Sequence, residues 1–384
     1  MKKIMTIVLA LMILLTMVAC GNAKEGEPTE TGVTTTGTET APPDTSKETE
    51  PTVPALTEPV EDDDHEISAV VKQLFEEFDT ALKDQIGTMP EDFADLKVGA
   101  VIISLTNPFW SNMKDLYEEA AEDYGIELDV QTGTTEGDTA SQLDVLMTMA
   151  DMDYDVIIVS PIDGSNLIPG IKKCNENGVK VINLGPGVDL EALEEAGAYL
   201  DAKITVKFED QGEIVAKDMM ARLPEGGEVA VLAGLAGAAQ SEGRSKGFID
   251  TIATDDSITL SNTINCDWDA SLAYDATKDL LLANPELKGI FACNDIMALA
   301  AVEALEAAGV SDVYVYGVDF TDEARASIKE AGMTGSMSYS SKKYTAAALQ
   351  MAVMLNEGQE IAGPVYLPLT LANAENINDL DGWR

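Results

Sequence analysis

The chain predicts an α/β fold of two doubly wound parallel-sheet lobes joined by a three-crossing hinge. Three observations carry that expectation. Strand and helix patterns alternate from Leu96, pause, and restart near Gln211. The strand runs are apolar without strict alternation, as in Val98-Gly-Ala-Val-Ile-Ile-Ser-Leu105, which suits strands covered on both faces. A helix and an extended segment remain after the second series; they most simply cross back, the helix to the first lobe and the tail to the second.

Met1-Lys-Lys and the apolar run Ile4–Ala19 read as a secretory signal, too short and too early to be a lasting membrane span. The run ends Met17-Val-Ala-Cys20-Gly, which resembles a bacterial lipobox. That likeness implies cleavage before Cys20, lipidation of its thiol and residence outside the cytoplasm on the cell membrane. Residues 20–64 are dominated by Thr, Glu, Pro and Gly. Such a segment buries too little apolar surface to offset its ordering entropy and is expected to be a disordered, self-repelling tether.

Glu66–Ile86 places Ile67, Val70, Val71, Leu74, Phe75, Phe78 and Leu82 on one helical face, and 66–94 is expected to pack as a helix and turn against the first lobe. Strands follow at Val98–Leu105, Glu127–Gln131, Val156–Ser160 and Lys180–Leu184, with helices over Ser111–Tyr124, Thr139–Met149 and Asn166–Asn177 between them. Glu191–Val206 is a looser segment. The second series has strands at Glu228–Ala233, Ile258–Asn265, Gly289–Ala292, Val313–Val318 and Thr334–Tyr339, each preceded by a helix. Helix Tyr344–Asn356 and the extended piece Val365–Leu371 close the chain. The lobes expected are 95–207 with 340–366, and 208–339 with 367–384.

The formal charge is −44 and the acidic side chains are spread along the chain, which argues against nucleic acid or an anionic bilayer as partner. The one histidine, His65, precedes the folded part, so His-based catalytic sets and multi-His zinc sites are excluded there. With Cys20 lipidated, Cys174, Cys266 and Cys293 remain, an odd number that argues against a disulfide framework. No cofactor and no metal site is expected.

Ligands of open α/β sheets bind outside the carboxyl ends of the strands. Those ends carry Asn107, Phe109 and Trp110, then Ser160-Pro-Ile-Asp163 and Gly185-Pro-Gly in the first lobe. In the second they carry Gly237–Arg244, Asp267-Trp268-Asp269, Asn294-Asp295, Asp319 and Tyr339. Aromatic faces mixed with amides, carboxylates and a guanidinium suit a sugar, whose C–H faces stack on rings and whose hydroxyls need polar partners. Competing readings are plain: Asn294, Asp295 and Asp322 could cap helices, Arg244 could pair with Glu242 or Asp250 at the surface, and Asp163 reads as a turn or helix-cap residue.

The stretches VIISLTNPFWSNMKDL, LAGAAQSEGRSKGF, FACNDIMALAAVEAL and VYVYGVDF resemble the ribose-binding subfamily of type I periplasmic sugar-binding proteins, over about Lys97 to Leu371. The resemblance implies a hinged, monomeric binding protein that delivers a monosaccharide or polyol to an ABC permease. It implies ligand contacts from Asn107, Phe109, Trp110, Arg244, Trp268, Asn294, Asp319 and Tyr339, with Ser160 where ribose binders often carry Asn. Gly185-Pro186 stands where the family commonly has an Asp-Arg clamp, so the ligand need not be ribose. A sensor presenting the ligand to a membrane kinase or chemoreceptor shares these features. A glycosidase using Asp267 and Asp319 is the enzyme alternative.

Overall fold

In the computed structural model residues 67–383 are described. The apolar leader, Cys20, the Thr/Glu/Pro segment and His65 lie outside them. Helix α1 (Ala69–Ile86) is capped by Ser68, whose hydroxyl accepts from the Val71 amide at 3.1 Å. The first series runs β1 (Lys97–Ile102), α2 (Pro108–Tyr124), β2 (Glu127–Thr132), α3 (Thr139–Met149), β3 (Val156–Val159), α4 (Ile168–Asn177), β4 (Lys180–Leu184), α5 (Leu190–Glu195) and β5 (Ala202–Thr205). The second runs α6 (Phe208–Arg222), β6 (Gly227–Ala233), α7 (Ala239–Ile252), β7 (Ile258–Asn265), α8 (Ala270–Ala283), β8 (Leu287–Ala292), α9 (Asp295–Ala308), β9 (Tyr314–Val318), α10 (Asp322–Lys329) and β10 (Gly335–Ser338). Helix α11 (Ser341–Asn356), β11 (Pro364–Tyr366), β12 (Thr370–Asn373) and a short 3-10 helix (Ile377–Leu380) end the chain.

The strands form two six-stranded sheets, ordered β11-β5-β4-β3-β1-β2 and β12-β10-β9-β8-β6-β7. All pairs are parallel except β12, which runs antiparallel to β10. Each lobe therefore has its switch of strand order beside its first strand, β1 in one and β6 in the other. The carboxyl ends next to that switch are where an open α/β sheet leaves a crevice. Central strands are buried on both faces, β3 throughout and β1 from Val98 onward, as their unbroken apolar runs require. Cys174, Cys266 and Cys293 are free, buried thiols, and β6 lies between the strands that Cys266 and Cys293 follow.

Two segments differ from the sequence expectation. The loose stretch after β4 contains α5 and β5, each too short and too polar to show a period: Leu-Glu-Ala-Leu-Glu-Glu and Ala-Lys-Ile-Thr. The closing extended piece is two strands, one per sheet. Pro368, which lacks an N–H, sits between β11 and β12 and cannot continue a ladder. The chain thus passes between sheets three times, after β5, after β10 and between β11 and β12.

Helix α1 also departs from its expected place on the first lobe. Val71 belongs to the core of the second lobe, with Ile67, Leu74 and Phe75 packed against it. Phe78, Leu82 and Ile86 belong to the core of the first lobe. At about 1.5 Å per residue, eighteen residues span roughly 27 Å, enough to reach from one lobe to the other. Its start is tied to the C-terminal tail: Ser68 donates from its amide to the Asp381 carbonyl at 3.3 Å, and Phe75 stacks on Trp383 with ring centroids 5.8 Å apart. Its end is tied to the first lobe, where Gln85 Nε2 donates to the Pro364 carbonyl at 3.0 Å.

In the second lobe α6 and α7 cross with their backbones in contact. A Cβ on Gly212 would stand 2.0 Å from the Arg244 carbonyl oxygen, and one on Gly247 would stand 1.9 Å from that of Glu209. Only glycine permits this approach, and the approach sets Arg244 against the cleft.

Candidate ligand-binding site

The strand ends of both lobes line one cavity. From the first lobe come Asn107, Phe109 and Trp110 after β1, Glu136 after β2, and Gly185 and Pro186 after β4. The second lobe supplies Gln240 and Arg244 on α7, Trp268 after β7, Asn294 after β8 and Asp319 after β9. Phe208, Tyr339 and Tyr344 lie near the crossings.

Asn107 and Asn294 play matching roles in the two lobes. Each caps the helix after its strand: Asn107 Oδ1 accepts from the Phe109 amide at 2.9 Å, and Asn294 Oδ1 accepts from the Met297 amide at 3.0 Å. Capping uses the oxygen; the Asn107 side chain also meets Glu136, whereas the Asn294 amide nitrogen is left for the cavity. Asn294 is 2% exposed and its Nδ2 has no partner in the protein. The capping reading and the ligand reading of Asn294 are therefore compatible.

Arg244 is buried and held on three sides. Its Nε donates to Gln211 Oε1 at 2.8 Å, Nη1 donates to the Cys293 carbonyl at 2.7 Å, and Nη2 lies 3.8 Å from Asp319 Oδ1. Its guanidinium carbon sits 5.7 Å from the Phe208 ring centre. The surface pairing with Glu242 or Asp250 does not form; Lys246 takes Asp250 at 2.9 Å.

The aromatic wall is continuous. Phe109 meets Trp110 edge-on at 4.9 Å and Tyr339 at 6.1 Å, and Tyr339 meets Tyr344 at 5.4 Å. Burial pushes the Tyr339 phenol well above its ordinary pKa, and nearby Asp319 adds to the shift while Arg244 opposes it. Across the cavity, Trp268 is set by an unusual backbone. Asp267 and Trp268 have φ of 50° and 66°, and Asp319 and Phe320 have 111° and 55°. Positive φ at non-glycine residues costs on the order of 1–3 kcal/mol each and clusters at functional sites.

Gly234 at the end of β6 makes room for the Trp268 ring, which a Cβ there would meet at 2.2 Å. Gly234→Ala is expected to push the indole into the cavity and to weaken ligand binding about tenfold or more. Overpacking would cost roughly 1–3 kcal/mol of stability. Titration calorimetry beside a melting curve checks both; unchanged affinity would mean that the indole makes no ligand contact.

Ser160 is not in the cavity wall. Its hydroxyl donates to the Leu184 carbonyl at 2.9 Å, stitching the ends of β3 and β4, and its own carbonyl accepts from Gln142 at 2.9 Å. Its side chain points sideways along the sheet, so the expected contact is corrected to a scaffold role. Asp295 and Asp322 are not the caps; Asn294 and Thr321 are. Asp295 instead accepts from the Thr321 amide at 2.8 Å and the Ser336 hydroxyl at 2.7 Å, tying three segments beneath the site. Asp163 is the turn residue expected, accepting from the Ser165 and Asn166 amides. Asp267, half of the glycosidase alternative, does not line the cavity.

Sequence reasoning missed Glu136, Phe208 and Tyr344, and did not single out Gln240 within Gly237–Arg244. Glu136 had a usable signal: it lies between Gly133 and Gly137, in the loop following a strand beside the switch point. Gln240 stands one turn before Arg244 on α7, facing the same way. Phe208 and Tyr344 sit just past the crossings that the sequence places near 207/208 and 339/340, but that these side chains reach the cavity follows only from the packed lobes.

Two open α/β lobes with their strand ends lining a common cavity define a two-lobed periplasmic binding protein of type I. A solved ABC-transporter periplasmic solute-binding protein from Actinobacillus succinogenes 130z, with bound D-allose, superposes with a TM-score of 0.71 at 29% identity, covering 74% of this chain and 100% of that one. The family described as Periplasmic binding protein domain matches residues 98–360, and the chain belongs to the type I periplasmic sugar-binding proteins. It is 31% identical over 263 residues to the D-allose-binding periplasmic protein of Escherichia coli (strain K12), covering 68% of this chain and 85% of that one. It is 26% identical over 277 residues to the ribose import binding protein of Bacillus subtilis (strain 168), covering 72% and 87%.

Proposed function

We propose that the chain is the solute-binding lipoprotein of an ABC importer and takes a monosaccharide or related polyol into the cleft. The observation that carries this reading is the pairing, in one cavity, of stacking aromatics with buried polar atoms that lack protein partners: Glu136 Oε1, Gln240 Oε1 and Asn294 Nδ2. Unpartnered buried polar atoms cost stability unless a ligand meets them. The names of the relatives, which bind D-allose and import ribose, make aldoses the first ligands to try.

Binding proceeds by closure. The lobes 95–207 with 340–366 and 208–339 with 367–384 turn about the three crossings, and ligand contacts from both sides favour the closed state. Micromolar affinity requires about 8 kcal/mol, within reach of a few charge-assisted hydrogen bonds plus stacking. No bond is broken in this cycle, in keeping with relatives that are binding proteins. Cys20 carries the lipid, residues 20–64 hold the monomeric lobes clear of the membrane outside the cytoplasm, and a permease receives the cargo. The formal charge of −44 speaks against nucleic acid as a partner.

The test is a thermal-shift screen of the full chain against pentoses, hexoses, polyols and nucleosides. A ligand at about a hundred times its Kd stabilises the folded state by about 2.7 kcal/mol, an easily read rise in melting temperature. At least one sugar or polyol is expected to give it. No shift with any of them would overturn the sugar assignment.

A further inference from the structure

The charges that line the cavity do not balance. Arg244 is the cation among the lining residues, and it already lies against Asp319 at 3.8 Å while donating to Gln211 and Cys293. Glu136 brings a second carboxylate from the opposite lobe. Its Oε1 is sealed from solvent and has no hydrogen-bond partner in the protein. The other first-lobe residues of the wall, Asn107, Phe109, Trp110, Gly185 and Pro186, offer no cationic side chain. Burial first, and Asp319 second, push the Glu136 carboxyl up to about 7, with the Asn107 amide opposing them. Gln240, 8% exposed, adds another unpartnered acceptor, its Oε1. Among the sealed, unpartnered atoms of the lining residues two acceptors stand against one donor, Asn294 Nδ2, and the lining has one carboxyl group more than its cations, between aromatic faces that also attract cations.

We propose that the ligand carries a protonated amine, as an amino sugar does, and that Glu136 is the residue that selects it. This deepens the sugar-binding reading and rests on it. An ammonium has three donors and no acceptor, the complement of Glu136 Oε1 and Gln240 Oε1. It supplies the positive charge that the first lobe's side of the cavity lacks, while Arg244 and Asn294 serve the hydroxyls. Because Glu136 and Asp319 belong to different lobes, one ammonium drawn to both carboxylates also favours closure.

The test is titration calorimetry of the full chain at pH 7 with D-glucosamine, D-galactosamine and D-allosamine, each beside its neutral parent sugar. At least one amine is expected to bind ten times more tightly than its parent. Glu136→Gln, checked for an unchanged melting curve, is expected to weaken that amine tenfold or more and to remove most of its advantage over the parent sugar. A parent sugar that binds as tightly as its amine in the unsubstituted protein overturns the proposal and leaves the sugar-binding reading standing. Binding of neither amines nor parents overturns this proposal, and the screen above then decides the broader reading. The unsubstituted protein carries the decisive ratio, so misfolding of the variant cannot hide the answer.

Discussion

Arg244→Ala is expected to weaken ligand binding by roughly 10- to 100-fold, and to lower stability as well. The guanidinium is 4% exposed and joins four partners: Gln211, the Cys293 carbonyl, Asp319 and the Phe208 ring. Truncation removes the one cation among the cavity walls and leaves the Cys293 carbonyl and the Gln211 oxygen without their donor. Breaking a buried charge pair by removing one member costs roughly 3–5 kcal/mol. Losing a charge-assisted hydrogen bond to the ligand costs on the order of 1.5–3 kcal/mol more in binding, near a hundredfold at its upper end. Arg244→Lys keeps the charge but loses the planar fork, so it should recover part of the stability and little of the affinity. Calorimetry with the sugar found in the screen reads the affinity, and thermal unfolding reads the stability. Undiminished affinity in Arg244→Ala would remove this cavity as the binding site.

Trp383→Ala is expected to be the most destabilising change outside the cleft. The indole is 1% exposed, stacks on Phe75 with planes 22° apart, and donates from Nε1 to the Ser338 hydroxyl at 3.0 Å. Ser338 ends β10, next to the second crossing, so one side chain joins the C-terminal tail, α1 and the second sheet. Large-to-small changes of a buried aromatic cost about 3–5 kcal/mol. In a domain of this size that lowers the melting temperature by roughly 5–15 °C. Phe75→Ala should share part of the loss, and the double variant should lose less than the sum because the two rings touch. Strict additivity of the two would show that α1 is not held through this stack.

The alternation of apolar runs with helical stripes was enough to predict two parallel-sheet lobes, because period is a local property that each segment displays by itself. The same local reading located Asn107, Phe109, Trp110, Arg244, Trp268, Asn294, Asp319 and Tyr339 at the strand ends, and all eight line the cavity. Tyr339 and the leftover α11 were legible because the second series runs out of strands before the chain ends. What period could not show was the direction of a side chain at a strand end. Ser160 has the right address and turns along the sheet to Leu184. Glu136 sits in a loop with no period at all and becomes part of the site because β2 flanks β1.

Residue type and spacing thus determined which elements form and which end of each carries the polar and aromatic groups. Tertiary structure alone decided that α1 belongs to both lobes, and that Arg244 is spent on Asp319 while Glu136 has no cation of its own among the lining residues. The reason is range. Helix and strand patterns arise from neighbours a few residues apart. Charge pairing and hydrogen-bond satisfaction depend on distances of 3–4 Å between groups far apart in the chain, and those distances exist only after the lobes have packed.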